Sequence, residues 1–367
     1  MCGRAIGIRA ISRLMTKQNE NAVSSELAPG PRNLITDIAG LRVGHAIDEA
    51  VRTGVSVIVP DTPAVVSVSV PGGGPGTRET DALQPGTLVD KADAIVLSGG
   101  SVYGLDAASG VTAAMGAQGR GFPTGAPVPS PIVPAAILFD VANGGDKTWG
   151  ETPPYAALGR TAYHQASVDF ELGNIGAGYG AQAGQLKGGL GSASTQIGDS
   201  VKVGALIAAN PLGSLVDAAG RFWAQPQALV YQDQLEFGLP DLASQPCDAS
   251  GHPFQGSKIA GALGNTSIGV VAVAADLTVA EAKRVAIMAQ DGLARAVRPI
   301  HTPFDGDCLF VLATGAEKLS EHPDQRPLAL AELGALAADC VARASARAIW
   351  NAAQIGDCLA YHDRFGR

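Results

Sequence analysis

Apolar residues along this chain gather in short runs divided by glycine-rich turns. Residues 54–59, 64–70, 94–97, 136–139, 203–209, 268–275 and 309–313 are rich in Val, Ile, Leu and Ala and read as β-strands. Residues 64–70 alternate Val with Ser. Several of the other runs are apolar at every position, as strands covered on both faces are.

Helical periodicity is clearest near the C-terminus. One helix is predicted to open at Thr278, where Glu281 three residues on completes a capping box, and to run to about Val297. A second follows Pro327 and continues in Ala-rich sequence to about Trp350, and a shorter one covers 105–116. Strands in pairs and helices in blocks predict an α/β protein with helices outside a sheet sandwich. Residues 232–257 are polar and turn-rich with no period, so they are expected to be structureless, the mark of a functional or mobile segment.

Composition narrows the class. At 367 residues the chain is long for one domain, though within reach of a single large α/β domain, and an apolar fraction of 46% is ample for its core. Its 47 glycines follow no period, which excludes a collagen-like chain and calls for many tight turns. A net charge of −8 argues against nucleic acid as a partner. No run of about 18 apolar residues is present, so no membrane span is expected. Residues 1–17 carry Arg4, Arg9, Arg13 and Lys17 without a continuous apolar stretch, a poor signal peptide, and residues 1–33 read as a flexible tail. Cys2, Cys247, Cys308, Cys340 and Cys358 have no metal-ligand spacing and read as reduced thiols of a cytoplasmic protein. A catalytic Cys308 is weighed against a structural thiol, which is the plainer reading.

Three glycine-rich loops invite a nucleotide, and none has the spacing for one. PGGGPGTRETD at 71–81 lacks the Gly-Lys-Ser/Thr ending of a phosphate loop, and the glycines of LSGGSVYGLDAASG at 97–110 are misplaced for a dinucleotide. The loop at 173–189 holds Gly176 and Gly178 but no strand–helix unit with a downstream acid. Loops that present backbone N–H groups to an oxyanion fit better. The histidines show no zinc pattern, and of them only His301 stands beside an acidic cluster. No cofactor and no metal is expected.

Asp305 and Asp307 in HTPFDGDCLF could direct two carboxylates at one pocket, against the plainer reading of an Asp-Gly turn. Asn210 ends a strand just before a proline, where a site residue or a turn Asn is equally at home. In GNTS at 264–267, Thr266 opens an apolar strand, a placement that suits an N-terminal nucleophile whose own α-amine is the base. Asn-Thr before a strand is also an ordinary turn.

Many segments together resemble one family. ITDIAGLRVGHA, GGGPGTRETD, LSGGSVYGLDAASGV, VPAAILFD, GNIGAGYGAQAG, ANPLGSLVD, GNTSIGVVAVAADL and RPIHTPFDGD occur in the order of the DmpA-type family, from about Asn33 to Ala352. That family holds L-aminopeptidase/D-esterases, β-peptidyl aminopeptidases and nylon-oligomer (6-aminohexanoate) hydrolases.

The resemblance implies an αββα-type layered sandwich like that of ornithine acetyltransferases. It implies self-cleavage between Asn265 and Thr266, giving an α subunit of 34–265 behind the tail and a β subunit of 266–367. Thr266 is then the nucleophile, Asn210 the active-site Asn, and Asp305 with Asp307 the acidic pair of the nylon-hydrolase branch. Gly99, Gly100 and Ser101, with Tyr103, are expected to bind the oxyanion or substrate. Phe139 replaces an active-site Tyr found in some members. The family's active-site Lys aligns near 185–187, at Gln185 without a gap, which leaves Lys187 as its stand-in. The implied activity is that of an aminopeptidase on small peptides, amides or esters, with endo-hydrolysis of 6-aminohexanoate oligomers or acyl transfer as alternatives. The implied assembly is a homotetramer of αβ units.

Overall fold

The computed structural model describes residues 27–198, 200–258 and 264–366. Nine longer strands and four longer helices organise them. The strands are β1 (Leu41–Asp48), β2 (Thr53–Pro60), β3 (Ala64–Ser69), β4 (Ile95–Ser98), β5 (Ala135–Ile137), β6 (Gly189–Ile197), β7 (Ser200–Asn210), β8 (Thr266–Ala275) and β9 (Cys308–Glu317). The helices are α1 (Asp106–Ala117), α2 (Tyr155–His164), α3 (Val279–Ala296) and α4 (Arg326–Trp350).

A seven-stranded sheet runs in the order Leu27–Ala28, β6, β7, β8, β9, β3, Lys91–Ala92. Its strands are antiparallel except for the parallel pair β8–β9. A five-stranded sheet runs β1, β2, β4, β5, Thr77–Arg78. Between the sheets lie Val66, Leu206, Ile268, Val270 and Phe310, packed on Val43, Ile58, Ile95 and Leu97. The alternate residues Ile207, Val271, Val273, Leu309 and Val311 pack on α3 and α4. Val55, Val57 and Val96 of the smaller sheet pack on α1 and α2. The layers are thus α, β, β, α. Both faces of the long strands are covered, which is why they are apolar at every position. All ten residues of β8 are buried, each larger side chain contributing about 1.5–3 kcal/mol.

Helix α3 opens at the expected cap. Thr278 Oγ1 accepts the Glu281 N–H at 3.3 Å, and a Glu281 carboxylate oxygen accepts the Thr278 N–H at 2.8 Å. Strands β1 and β6 and helix α2 lie outside the predicted elements. In β6 a Cβ on Gly191 would sit 2.0 Å from the Ala344 carbonyl oxygen, so glycine lets α4 lie directly on the strand backbone. Helices α1 and α2 cross equally closely: a Cβ on Gly110 would lie 1.9 Å from Ala156 O, and one on Gly159 2.1 Å from Ala107 O. Among the described residues no helix is long and apolar enough to cross a membrane.

Two expectations need correction. Residues 1–26 of the expected tail lie outside the described residues, but Leu27 pairs with Ile197 and Asn33 is fully buried, so residues 27–33 belong to the fold. The segment 232–257 holds only the short strand Gln234–Leu235 and the helical turn Pro240–Ala243, yet it is pinned. Phe237 packs edge-on against Phe222 at 5.2 Å, and Glu236 forms a buried ion pair with Arg343 of α4 at 2.5 Å. Asn33 joins this pair, receiving a hydrogen bond from Arg343 (3.0 Å) and giving one to Glu236 (2.7 Å). Burial works to raise the Glu236 pKa, but the hydrogen bonds and charge of Arg343 outweigh it and hold the carboxyl below its ordinary value.

Glu236→Gln should therefore destabilise the protein by about 3–5 kcal/mol, because it leaves a buried guanidinium without its counter-ion. Denaturant unfolding monitored by circular dichroism measures this, and an unchanged midpoint would refute the assignment.

Candidate active site

The site forms where β7 ends and β8 begins. Register places Asn210, the last residue of β7, directly across from Thr266, the first of β8. Pro211 has no N–H to continue the ladder, so the two side chains stand at the open end of the sheet. By strand alternation Thr266 shares the face of Ile268 and Val270, toward the second sheet. The Thr266 hydroxyl donates to Asn265 O, the carbonyl of the preceding peptide. That oxygen also accepts the Gly306 N–H at 2.8 Å.

Gly306 lies between the two acids of the turn that leads into β9. Asp305 and Asp307 are both fully buried, and their oxygens are engaged. Asp305 accepts the N–H of Leu212 (3.0 Å) and the N–H and hydroxyl of Thr302 (2.9 and 2.5 Å). Asp307 accepts the Ser267 N–H (2.7 Å) and the His301 N–H (3.1 Å), with His301 Nδ1 2.8 Å away. Burial raises the Asp307 pKa; the His301 hydrogen bond opposes the rise and the charge of Asp305 adds to it. The pair therefore fixes backbone on both sides of the catalytic candidates: Ser267 after Thr266, and Leu212 after Asn210.

The glycines at 72–74 serve the same turn. Gly74 N–H donates to Asp305 O at 2.8 Å, and a Cβ on Gly72 would meet Asp307 N at 2.3 Å. This loop approaches backbone rather than phosphate.

A cavity of about 500 Å³ opens beside the pair, lined among others by Phe139, Asp140, Gln182, Asn210, Lys258 and Asn265. That size suits a small ligand. Asn210 Oδ1 accepts the Gln182 N–H (2.9 Å) and the Lys258 ammonium (3.2 Å), while Asn210 Nδ2 donates to Phe139 O (3.1 Å). Lys258 is half-buried in the cavity wall, and loss of hydration at its ammonium lowers its pKa to about 7, against the pull of Asp305. Burial raises Asp140 to about 6, opposed by hydrogen bonds from Thr53 and Gly100.

Comparison with known proteins turns this geometry into a family. The sequence profile of peptidase family S58 matches residues 33–359. The chain belongs to peptidase family S58. It is therefore a hydrolase of peptide or amide bonds.

Among the S58 relatives, an uncharacterized aminopeptidase of Mycobacterium tuberculosis is 40% identical over 353 residues, covering 91% of this chain and 98% of the relative. A 6-aminohexanoate-oligomer endohydrolase of a Kocuria species is 29% identical, covering 80% of this chain and 78% of the relative. Two solved structures share the fold at 22% identity. A β-aminopeptidase of a Burkholderia species aligns with a TM-score of 0.64 over 92% of this chain and 93% of its own. The L-aminopeptidase D-Ala-esterase/amidase of Ochrobactrum anthropi, described as a variant of the Ntn hydrolase fold, aligns at 0.63 over 90% and 89%. The αββα sandwich read from the sequence is thus the S58 architecture.

The structure sorts the expected S58 site residues. Asn265, Thr266, Asn210, Asp305 and Asp307 come together. The backbone amides of 99–101 are already bonded: Gly99 N–H donates to Gly54 O (2.9 Å), Gly100 N–H to Asp140 Oδ1 (2.7 Å) and Ser101 N–H to Leu138 O (3.0 Å). Gly306 N–H is the amide that meets Asn265 O, and Asn210 lies across the ladder from Thr266. Tyr103 is half-exposed and packs on Trp149 at 5.6 Å, away from the cavity lining. Lys187 is buried on Gly178 O (3.2 Å) and Gly188 O (2.8 Å), beside a neighbouring cavity lined by Arg52 and Cys358. The cation beside Asn210 is Lys258, which the sequence hid in a polar stretch with no motif of its own. Cys308 is fully buried and burial pushes its thiol pKa up, the condition of an inert structural thiol.

Lys258 should titrate near pH 7, losing its charge as pH rises through that value. NMR titration of lysines labelled at Cε, with Lys258→Met to assign the signal, measures it. A midpoint at the ordinary 10.5 would place the ammonium in bulk water.

Proposed function

We propose that this S58 hydrolase processes itself between Asn265 and Thr266 and then works as an N-terminal threonine aminopeptidase on small peptides, amino acid amides or esters. The observation that carries this reading is the Thr266 hydroxyl held on Asn265 O, with Gly306 N–H already donating to the same oxygen.

In the uncut chain Thr266 Oγ attacks the Asn265 carbonyl carbon, and the negative charge that develops on Asn265 O meets the Gly306 N–H. The C–N bond breaks, the nitrogen takes the proton released by the hydroxyl, and Asn265 is left as an ester on Thr266 Oγ. Water hydrolyses the ester, giving a carboxylate at Asn265 and returning the Thr266 hydroxyl beside the α-amine that the shift has freed. That amine titrates near pH 8, so its neutral form is well matched to take the hydroxyl proton when a substrate carbonyl arrives. Asn210 stabilises the resulting oxyanion; losing such a donor typically raises the barrier by about 3–4 kcal/mol. The acyl group passes to Thr266 and then to water. Asp305 and Asp307 hold the strand ends at the register this requires.

The aminopeptidase reading is supported by the 40% identical mycobacterial relative, which carries that name. Endo-hydrolysis of 6-aminohexanoate oligomers is the second reading. It is favoured by Thr266 in combination with Asp305 and Asp307, the set that resembles the nylon-hydrolase branch, and by the 29% identical oligomer hydrolase.

Purified protein should run as two pieces of 265 and 102 residues, and N-terminal sequencing of the shorter should read Thr-Ser-Ile-Gly. Thr266→Ala should stay whole and inactive. A whole chain with full activity sinks the proposal, and cleavage of Thr266→Ala assigns the cut to Ser267 or to another protease. Amino acid p-nitroanilides assayed beside 6-aminohexanoate oligomers separate the two readings.

A further inference from the structure

The mechanism above leaves two charged side chains on the cavity wall without a role, Asp140 and Lys258, and of these Lys258 touches Asn210. Lys258 places its ammonium 3.2 Å from Asn210 Oδ1 and 3.1 Å from Asn210 O. We propose that Lys258 is a positioning residue that fixes which end of the Asn210 amide faces the reacting carbonyl and keeps positive charge behind that amide. The inference rests on the reading of Thr266 and Asn210 as the catalytic pair.

The two ends of an asparagine amide are nearly the same shape, so only their partners decide which way it points. An ammonium can donate but not accept, so only Oδ1 can face Lys258. Gln182 N–H, at 2.9 Å, is a second donor to the same oxygen. Phe139 O takes one N–H of Nδ2 at 3.1 Å. Turning the amide over would set donor against donor at Oδ1 and oxygen against oxygen at Phe139. What remains for the cavity is the second N–H of Nδ2, the group an oxyanion needs.

Lys258 is built onto the same support as Asn210. Its N–H donates to Leu212 O at 3.0 Å, and Leu212 N–H donates to Asp305 Oδ1 at 3.0 Å. That anchor does not run through Asn265, so breaking the bond after Asn265 leaves it intact. The groups whose charges act on the ammonium are Asp305, Asp307 and Cys358, all of which favour its proton, while burial disfavours it. Near neutral pH the side chain therefore divides between charged and neutral forms. An arginine in its place would stay charged throughout.

The test is a double-mutant cycle on processed enzyme, using kcat for an amino acid p-nitroanilide, with Lys258→Met, Lys258→Arg, Asn210→Ala and the double variant K258M/N210A. Lys258→Met should lower kcat roughly tenfold to a hundredfold, the scale of a misplaced catalytic group, with KM little changed. Lys258→Arg should recover most of the loss and carry its activity to higher pH than the wild type, because its charge is not lost through pH 7. The double variant should be no slower than Asn210→Ala, since Lys258 acts only through Asn210. If a variant stays uncut, the same cycle is read on its rate of self-cleavage. Wild-type kcat in Lys258→Met, multiplying losses in the double variant, or superimposable pH profiles for wild type and Lys258→Arg would each overturn the proposal. If Thr266→Ala is itself fully active, the failure belongs to the catalytic reading. If Thr266→Ala is inactive and Lys258→Met is normal, it belongs to Lys258 alone.

Discussion

The ladder between β7 and β8 runs from Val203 opposite Val273 to Asn210 opposite Thr266, and its last rung sets these two residues side by side. Both strands are buried and bonded on two sides, so the residues at their ends inherit the rigidity of the sheet. Asp307 grips the backbone one residue inside the rung, at Ser267. Asp305 grips it two residues beyond, at Leu212, and Lys258 hangs from that same residue. The two residues proposed as nucleophile and oxyanion donor are thus held by main-chain hydrogen bonds, not by the rotamers of exposed side chains. Holding reacting groups within tenths of an ångström is what converts an ordinary hydroxyl into an effective one.

The buried acidic pair takes its meaning from that constraint. Two carboxylates two residues apart suggest proton transfer or an ammonium site, yet here they accept N–H groups from four different residues and a threonine hydroxyl. Buried carboxylates are tolerable where several donors converge on them. The triple glycine that looks like a phosphate loop belongs to the same arrangement, because a side chain at Gly72 would collide with Asp307 N. Electrostatics and close packing together lock one turn against one sheet end.

Much of the fold was legible because its signals are local. The apolar runs at 203–209, 268–275 and 309–313 all fall within strands of the larger sheet, and the Thr278 cap opens α3. What was not legible depends on partners far away in sequence. Strand β6 carries no apolar run, because Gly191 makes room for α4 while the hydroxyls of Ser192 and Ser194 accept the N–H groups of Ile35 and Gly30. Helix α2 is weakened locally by Gly159, whose missing side chain lets α1 approach. The polar segment at 232–257 conceals Glu236, whose partner Arg343 lies 107 residues away. At the site, Thr266, Asn210 and the two acids, the residues that motif and resemblance single out, lie together. Lys258 carries no such signal, since it meets Asn210 only where the chain returns to it. The amides at 99–101 show the same limit, because a glycine loop displays N–H groups in sequence without showing that Gly54, Asp140 and Leu138 take them.

The order of strands in the larger sheet has one more consequence. β8 and β9 come from the last 102 residues, yet they are flanked by β7 and β3, which precede Thr266 in the chain. A cut before Thr266 removes no rung from the sheet, and α3 and α4 still close over strands from both sides of it. Pulling the two pieces apart means tearing the sheet along two seams and stripping a helical layer from its core. Dilution should not separate them, and heat should melt them in one transition. Such a cut is a change of connectivity without a change of body: the molecule gains a chain end at its centre and keeps the cooperativity of a single domain.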